Sequence, residues 1–529
     1  MNFEIVYVLI CLAAMVVALI YDRMRPGMIL FSVVILFFCA GILTPKEVLE
    51  GFSNKGMITV ALLFLVSEGI RKSGVLERLI FAMLPQKKST VAGTNLRVLP
   101  VIAFISAFLN NTPVVVIFAP IIKNWARRMK LPPAKFLIPL SYATILGGIC
   151  TLIGTSTNLV VDGMIQDAGF KGFSIFELGQ VGVIIAIVGI IYLVCFAKRL
   201  LPDRTLKDDD IEESSDSGDV VRVEAVLGAR FPGNGKTLRE FDFHRHYGAT
   251  VKSLHRNGER LQGDWMNVRL SENDTLILDA DGTFIPTWGD SRVFLMLSVL
   301  DAEPEMGKKK KYLAMILLLV MIIGATVGEL PVVEQALPGL NLDMFFFVCV
   351  TTVIMAWTGM FNPKKYTKFI SWDVLITIAC AFAISKAMSN SGFAAFIAEY
   401  IIGMTDALGP YALLAVIFII TNLFTELITN NAAAALSFPI ALEVANHLGV
   451  SPTPFFVVIC MAASASFSTP IGYQTNLIVQ GIGGYKFSDF VKIGLPLNII
   501  VFVLGSHQGH DYRYGIVHQG THLARFRCE

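Results

Sequence analysis

Two amides, Asn110 and Asn111, followed by Thr112 and Pro113, interrupt the apolar run "AFLNNTPVVVIFAP" at 107–120. An amide carries two donors and an acceptor, and burying one unpaired costs about 2–7 kcal/mol. A hydrocarbon-length stretch that tolerates two of them is either a loop or a site built to bind something. A second pair, Asn430 and Asn431, follows Thr429 in the other half of the chain. Some forty residues after each pair comes a glycine break, Gly154-Thr155-Ser156-Thr157-Asn158 and Gly472-Tyr473-Gln474-Thr475-Asn476. Amide oxygens, hydroxyls and unwound carbonyls are ligands for a hard cation such as Na+, while half-helix starts offer partial positive charge to an anion. The glycines let the backbone unwind and approach closely.

The elements that position these residues are membrane spans. The chain has 529 residues, 54% hydrophobic and 16% charged, with mean hydropathy +0.64. Soluble domains carry about a quarter charged residues. Apolar runs near span length recur at 4–20, 28–43, 178–197, 312–328 and 455–480. This composition predicts a polytopic membrane protein whose partner is the lipid bilayer. The net charge of +2 gives no reason to expect nucleic acid, because basic residues here mark sidedness. The run 4–20 lacks a preceding basic residue and a small-residue cleavage site, so it reads as a first span. Seven of the eight cysteines fall in predicted spans without paired spacing, as reduced packing cysteines do.

From Lys198 to about Lys311 the chain turns polar. The acidic run "DRTLKDDDIEESSDSGD" reads as a solvated linker. The alternating stretches "VVRVEAVLG", "ATVKSLHRNG" and "DTLILDAD" read as strands, with Asn257-Gly258 as a hairpin turn and "GKTLREFDF" as a short helix. A small α/β domain is therefore expected between two membrane halves, closed by the basic run "GKKKK" at 307–311.

The halves are related. Shifting by 318 superposes Gly41, Pro45, Lys46, Ser53, Ile58, Thr59, Ala61, Phe64, Ser67, Ser73 and Gly74 on identical residues from Gly359 to Gly392. The register then drifts by one, pairing Asn111 with Asn430 and Pro120 with Pro439, and returns to 318 for "IGTSTN" against "IGYQTN". The chain reads as an internal duplication that carries its polar intramembrane stretches with it. In the first half the spans fall at 4–20, 28–43, 58–70, 136–165 and 178–197. Basic residues flank both sides of 98–122, which predicts a re-entrant hairpin with the Asn pair at its tip; 411–442 is its counterpart. Five crossings per half is odd, so the second half must be inverted. The expected fold is an all-α polytopic membrane protein. It has two inverted repeats of five spans, each with a re-entrant hairpin, and a small α/β cytoplasmic insertion. The domains are 1–200, an acidic linker 201–219, the insertion 220–303, a second membrane repeat 304–505 and an irregular tail 506–529.

At these motifs the sequence resembles the divalent anion:sodium symporter family of the ion transporter superfamily. That family carries Ser-Asn-Thr at each hairpin tip and a Gly-Thr-Pro-Pro-Asn-like break after the first. Here the central Asn is kept at both tips, Asn110-Asn111-Thr112 and Thr429-Asn430-Asn431, with "FTE" at 424–426, and the prolines are absent. The resemblance implies one Na+ site from Ser106, Asn110, Asn111 and Gly154, and another from Thr425, Asn430 and Gly472. It places the anion near Asn110, Asn111, Thr112, Thr155, Asn430, Asn431 and Gln474, where neither Arg or Lys is present. The implied protein is no enzyme but a multi-pass transporter of the plasma or inner membrane. It would couple Na+ to a small inorganic or carboxylate anion, work without an organic cofactor, and form a homodimer. The insertion resembles an RCK C-terminal (TrkA-C) domain in "GNGKTLREFDFHRHYGATVKSLHRNGERLQGDWMNVRLSENDTLILDAD", a module expected to dimerise or take a small-molecule ligand. The other reading is a cation transport protein or channel gated through this domain. It would need a filter of repeated carbonyls, and the sequence has no such stretch. Two intramembrane acids, Glu68 and Glu426, are candidates for coupling or for pairing with polar neighbours. The histidines His507, His510, His518 and His522 of the tail fit no tight metal motif.

Overall fold

The computed structural model describes residues 3–203, 220–299 and 308–508, except for 22, 86–88, 257–258, 262–263, 282–283, 290, 292, 329, 331, 334–340, 365 and 406–409. The acidic run at 204–219, the proposed turn Asn257-Gly258 and tail positions from 509 onward lie outside the described residues.

Helices dominate. The first half contains α1 (Phe3–Ile20), α2 (Pro26–Cys39), α3 (Pro45–Glu50), α4 (Lys55–Lys72), α5 (Val75–Met83), α6 (Val91–Ser106), α7 (Asn111–Arg128), α8 (Ala134–Gly148), α9 (Ser156–Asp167) and α10 (Gly179–Leu200). Between the halves come β1 (Val220–Leu227), α11 (Phe243–Tyr247), β2 (Thr250–Arg256), β3 (Glu259–Arg260), β4 (Thr275–Asp281), α12 (Phe284–Trp288) and β5 (Phe294–Val299). The second half runs α13 (Lys308–Gly328), α14 (Met344–Trp357), α15 (Trp372–Asn390), α16 (Phe393–Thr405), α17 (Pro410–Leu427), α18 (Asn430–Leu448), α19 (Thr453–Ser464), α20 (Gln474–Gly483) and α21 (Phe487–Gln508). Among the described residues, six helical segments are long and apolar enough to cross a membrane, and shorter apolar helices accompany them. Their outer faces are greasy: Ile10, Val17, Ile316, Leu319, Ile323 and Val353 are exposed, as side chains solvated by lipid are. This is a multi-pass membrane protein.

Four boundaries differ from those read in the sequence. The first interruption is at 107–110, and Asn111 already begins α7. Pro113 sits in the first turn of that helix, where a missing N–H costs nothing. The stretch 136–165 is split at 149–155, so Ser156, Thr157 and Asn158 are helical. In the second half 465–473 separates α19 from α20. The expected helix "GKTLREFDF" is instead turns plus an isolated bridge from Thr237 to Arg269, and the helix starts at Phe243. Asp242 causes the shift, because its carboxylate caps the N–H of Arg245.

The inserted sheet is antiparallel, in the order β3-β2-β4-β1-β5. Alternation along β1 divides its loyalties. Val223, Ala225 and Leu227 join a core rich in Phe, including Phe231, Phe241 and Phe243. Glu224 and Val226 point the other way, toward the membrane helices: Val226 packs with the membrane core and Glu224 pairs with Lys123 of α7 at 2.6 Å.

Candidate functional site

The four helices α7, α9, α18 and α20 begin together. Their preceding residues, Asn110, Thr155, Thr429 and Tyr473, all have extended backbone, and none supplies a side-chain cap. Uncapped first turns leave N–H groups pointing outward, with the positive end of the helix dipole behind them.

Side chains tie the four starts together. From α7, Asn111 Nδ2 donates to Tyr473 Oη at 2.5 Å, and Thr112 Oγ1 lies 3.5 Å from Gln474 Oε1. Tyr473 Oη also meets Thr155 Oγ1 at 3.2 Å. From α9, Ser156 Oγ and Thr157 Oγ1 donate to Asn431 Oδ1 at 3.3 and 3.1 Å. Each tip thus faces the break of the other half. Stretches 105–115, 150–160, 424–434 and 466–478 contain no Arg or Lys, so any anion here would be met by neutral donors and dipoles.

Each tip also packs on the break of its own half, and the same bonds recur at the duplication spacing. Ser106 Oγ donates to Asn111 Oδ1 at 2.7 Å; 319 residues later, Thr425 Oγ1 meets Asn430 Oδ1 at 3.0 Å. Thr151 Oγ1 donates to the Ala107 carbonyl, and Thr469 Oγ1 to that of Glu426 at 3.0 Å. Asn158 Nδ2 holds the carbonyls of Gly148 and Thr151 at 3.3 and 2.9 Å; Asn476 Nδ2 holds those of Ser466 and Thr469 at 2.9 and 3.2 Å. A Cβ on Gly154 would stand 2.6 Å from the Gly148 carbonyl, and one on Gly472 would collide with Ser466 and the Thr425 carbonyl. Only glycine permits these approaches.

The structure therefore brings Ser106, Asn111 and Gly154 into one knot and Thr425, Asn430 and Gly472 into another. Ser106 and Thr425 are fully buried, and Asn111 and Asn430 nearly so. Asn110 is half-buried at the apex of the first tip, and no side-chain bond of its own draws it into the knot. Thr112 is half-buried and Gln474 exposed, at the rim. Both knots offer neutral oxygens, the donor set of a hard monovalent cation. Nearby, Asn158 Oδ1, Thr429 Oγ1 and Ser464 Oγ are buried without a donor.

Several participants were not among the ligand residues expected from the sequence. Thr151 and Thr469, and Asn158 and Asn476, share the 318 offset, which was the signal available for them. Tyr473 has no identical counterpart, and its reach to Asn111 spans 362 residues. Glu426 accepts from the N–H groups of Ser468 and Thr469 at 2.8 and 2.9 Å and from Asn498 Nδ2 at 2.7 Å. It braces the second break. Glu68 instead pairs with Arg71 and Lys72 at the end of α4.

The inserted sheet touches the far ends of two of these four helices. Besides the Lys123–Glu224 pair on α7, Thr275 Oγ1 donates to the Gly481 carbonyl of α20 at 3.5 Å. Burial pushes His255 on β2 down to about 4, with Lys123 and Arg127 reinforcing that and Glu224 partly offsetting it. Burial opposes ionisation of Glu224, but the Lys123 ammonium outweighs it and holds the carboxyl below its ordinary range.

The citrate transporter family model, CitMHS, matches residues 15–445 and, overlapping, 341–506. An uncharacterized transporter of Synechocystis is 30% identical over 571 residues, covering 89% of this chain and 90% of that one. Sodium/sulfate cotransporter 1 of Chlamydomonas reinhardtii is 25% identical over 761 residues, covering 90% and 86%. Among solved structures, the Alcanivorax borkumensis YdaH transporter superposes with a TM-score of 0.53 at 12% identity, covering 89% of this chain and 88% of that one. That likeness concerns the fold alone. With matching family residues spanning most of its length, and transporters rather than enzymes as its relatives, this chain belongs to the CitMHS citrate transporter family.

Proposed function

We propose that this protein is a secondary active transporter that couples Na+ to the movement of a divalent anion, of the sulfate or dicarboxylate class, by alternating access. The observation that carries the reading is the meeting of four uncapped helix starts, linked through Asn111, Tyr473, Thr155, Thr157 and Asn431, in stretches that hold no Arg or Lys. Converging N–H groups attract a small dianion, and the two oxygen knots beside them suit Na+, whose charge would help hold that anion. The name of the Chlamydomonas sodium/sulfate cotransporter is consistent with this pairing.

On this reading, α6–α7 and α17–α18 are re-entrant hairpins, and irregular backbone at membrane depth is tolerated because it lines the site. The halves are an inverted duplication. Reciprocal contacts support it: the start of α2 meets the start of α15 through Gly27 N and Asp373 Oδ1 at 3.3 Å, while Lys55 before α4's first turn closes pairs with Asp343 before α14. At the 318 offset Asp373 is the counterpart of Lys55, and Asp343, which precedes α14, is the counterpart of Arg25, which precedes α2 and stands two residues from Gly27. The inserted domain is RCK-C-like, lies in the cytoplasm with the basic loops, and takes a small ligand or dimerises. Uptake of labelled sulfate, succinate and citrate into proteoliposomes, with inward Na+ or K+ gradients, tests the reading. Na+-dependent accumulation of at least one anion is expected. Equal uptake with K+ refutes Na+ coupling, and no uptake of any of the three refutes the substrate class.

A further inference from the structure

Tyr473 is the counterpart of Thr155 at the 318 offset (155 + 318), and their hydroxyls touch at 3.2 Å. The two halves therefore place very different side chains at one position. Where the first half offers a short hydroxyl, the second sends a phenol across to Asn111 of the opposite tip. The ring is only 8% exposed, so it fills space between the helix starts rather than lining a wall. Burying an aromatic side chain takes about 150–250 Å² of its surface out of solvent, and the space the ring fills is withheld from any anion bound between the tips.

Its hydrogen bonding is also specific. Asn111 Oδ1 accepts from Ser106, so Asn111 Nδ2 is the atom that faces Tyr473, and the phenol oxygen accepts there. The phenol proton remains to be donated, toward Thr155 Oγ1 or a ligand beside it, because Asn430 Oδ1 already accepts from Thr425. A neutral group with one donor at the meeting point of four positive helix ends suits a compact oxyanion.

We propose that Tyr473 is the specificity-determining residue of the site. It supplies one hydrogen bond to a tetrahedral inorganic dianion such as sulfate and, by its bulk, refuses a citrate-sized tricarboxylate. The inference rests on the transport reading above and deepens it.

The test measures Na+-dependent uptake of labelled sulfate by the full chain in proteoliposomes, with unlabelled sulfate or citrate as competitor. In the wild type, sulfate should compete and excess citrate should not. Tyr473→Phe keeps the volume and removes the donor, so KM for sulfate should rise about tenfold or more, the loss of one hydrogen bond to a charged group, with citrate still refused. Tyr473→Thr makes the halves alike here, so citrate should now compete. Wild-type uptake inhibited equally by citrate and sulfate overturns the proposal. So does a Phe variant with unchanged KM, and so does a well-inserted Thr variant that still ignores citrate. Should the Thr variant fail to insert, the nearly isosteric Phe variant and the wild-type competition still decide. A wild type that takes up none of the anions overturns the transport reading itself, and is seen before any variant is compared.

Discussion

The stretch 106–158 and the stretch 425–476 hold the same hydrogen bonds, yet they are braced differently. In the first, the Leu152 N–H of the break reaches the Ile175 carbonyl beyond α9. In the second, Glu426 stands one residue after Thr425 and gathers two backbone N–H groups and the Asn498 amide. The conserved part of the pattern shapes oxygen knots and helix starts. The divergent part, Glu426 and Tyr473, makes one half stiffer and lets it reach into the other. Two half-sites of common design, entering from opposite membrane faces, would then share a single anion.

The largest effects should come from the shared part. Asn111→Ala and Asn430→Ala each delete a side-chain oxygen from a knot, and the first also removes the bond to Tyr473 of the opposite break. Each variant is expected to insert at wild-type abundance and to lose Na+-dependent uptake. Retained uptake in either one would show that its half does not hold an ion. A difference between them, with only one silent, would turn the comparison into an asymmetry of function.

Less drastic is the brace. Glu426→Gln removes a charge that accepts three bonds and leaves it with one acceptor oxygen. Weakening a partly buried charged network of this kind costs about 1–3 kcal/mol. A lower Tm and weaker Na+ dependence should appear together, because the same loop carries Gly472. A variant with unchanged Tm but abolished coupling would make Glu426 a coupling group rather than a brace.

Much of this was legible in the sequence because duplication filters noise. One Asn pair in an apolar run is ambiguous, whereas Asn111 and Asn430 with Gly154 and Gly472 at a common spacing are not. Break positions were less legible, since Thr155 and Tyr473 take extended backbone only once their neighbours pack, so the helical start at Ser156 could not be placed. Tyr473 escaped for another reason. Its role depends on contacts 318 and 362 residues away, and a lone substitution inside a repeat looks like drift. The docking of β1 was hidden likewise: alternation marked two faces of the strand but not that Glu224 would find Lys123.

That docking contrasts with the tips in being titratable. His255 has a folded value near 4 against the ordinary 6.5, so the docked state favours the neutral ring. Its contribution is complete above pH 6.5 and is lost as pH falls from there toward 4. Glu224, held below 4.5, acts in the same direction at still lower pH. Each group weakens docking by at most about tenfold per pH unit. Protection of the β1 and α7-end amides, taken as exchange relative to the intrinsic rate at each pH, should therefore fall between pH 7.5 and 5, and His255→Gln should flatten that response. Protection that rises on acidification would reverse the assignment.

The claim that the half-sites enter from opposite faces has one direct measurement. Single cysteines replace Lys130, just beyond α7, and Asn446, near the end of α18, in a background stripped of other reactive thiols. Each is then labelled from either side of the membrane with an impermeant reagent. The account predicts reaction of Lys130→Cys only from the cytoplasm and of Asn446→Cys only from outside. Labelling of both from the same face would contradict it.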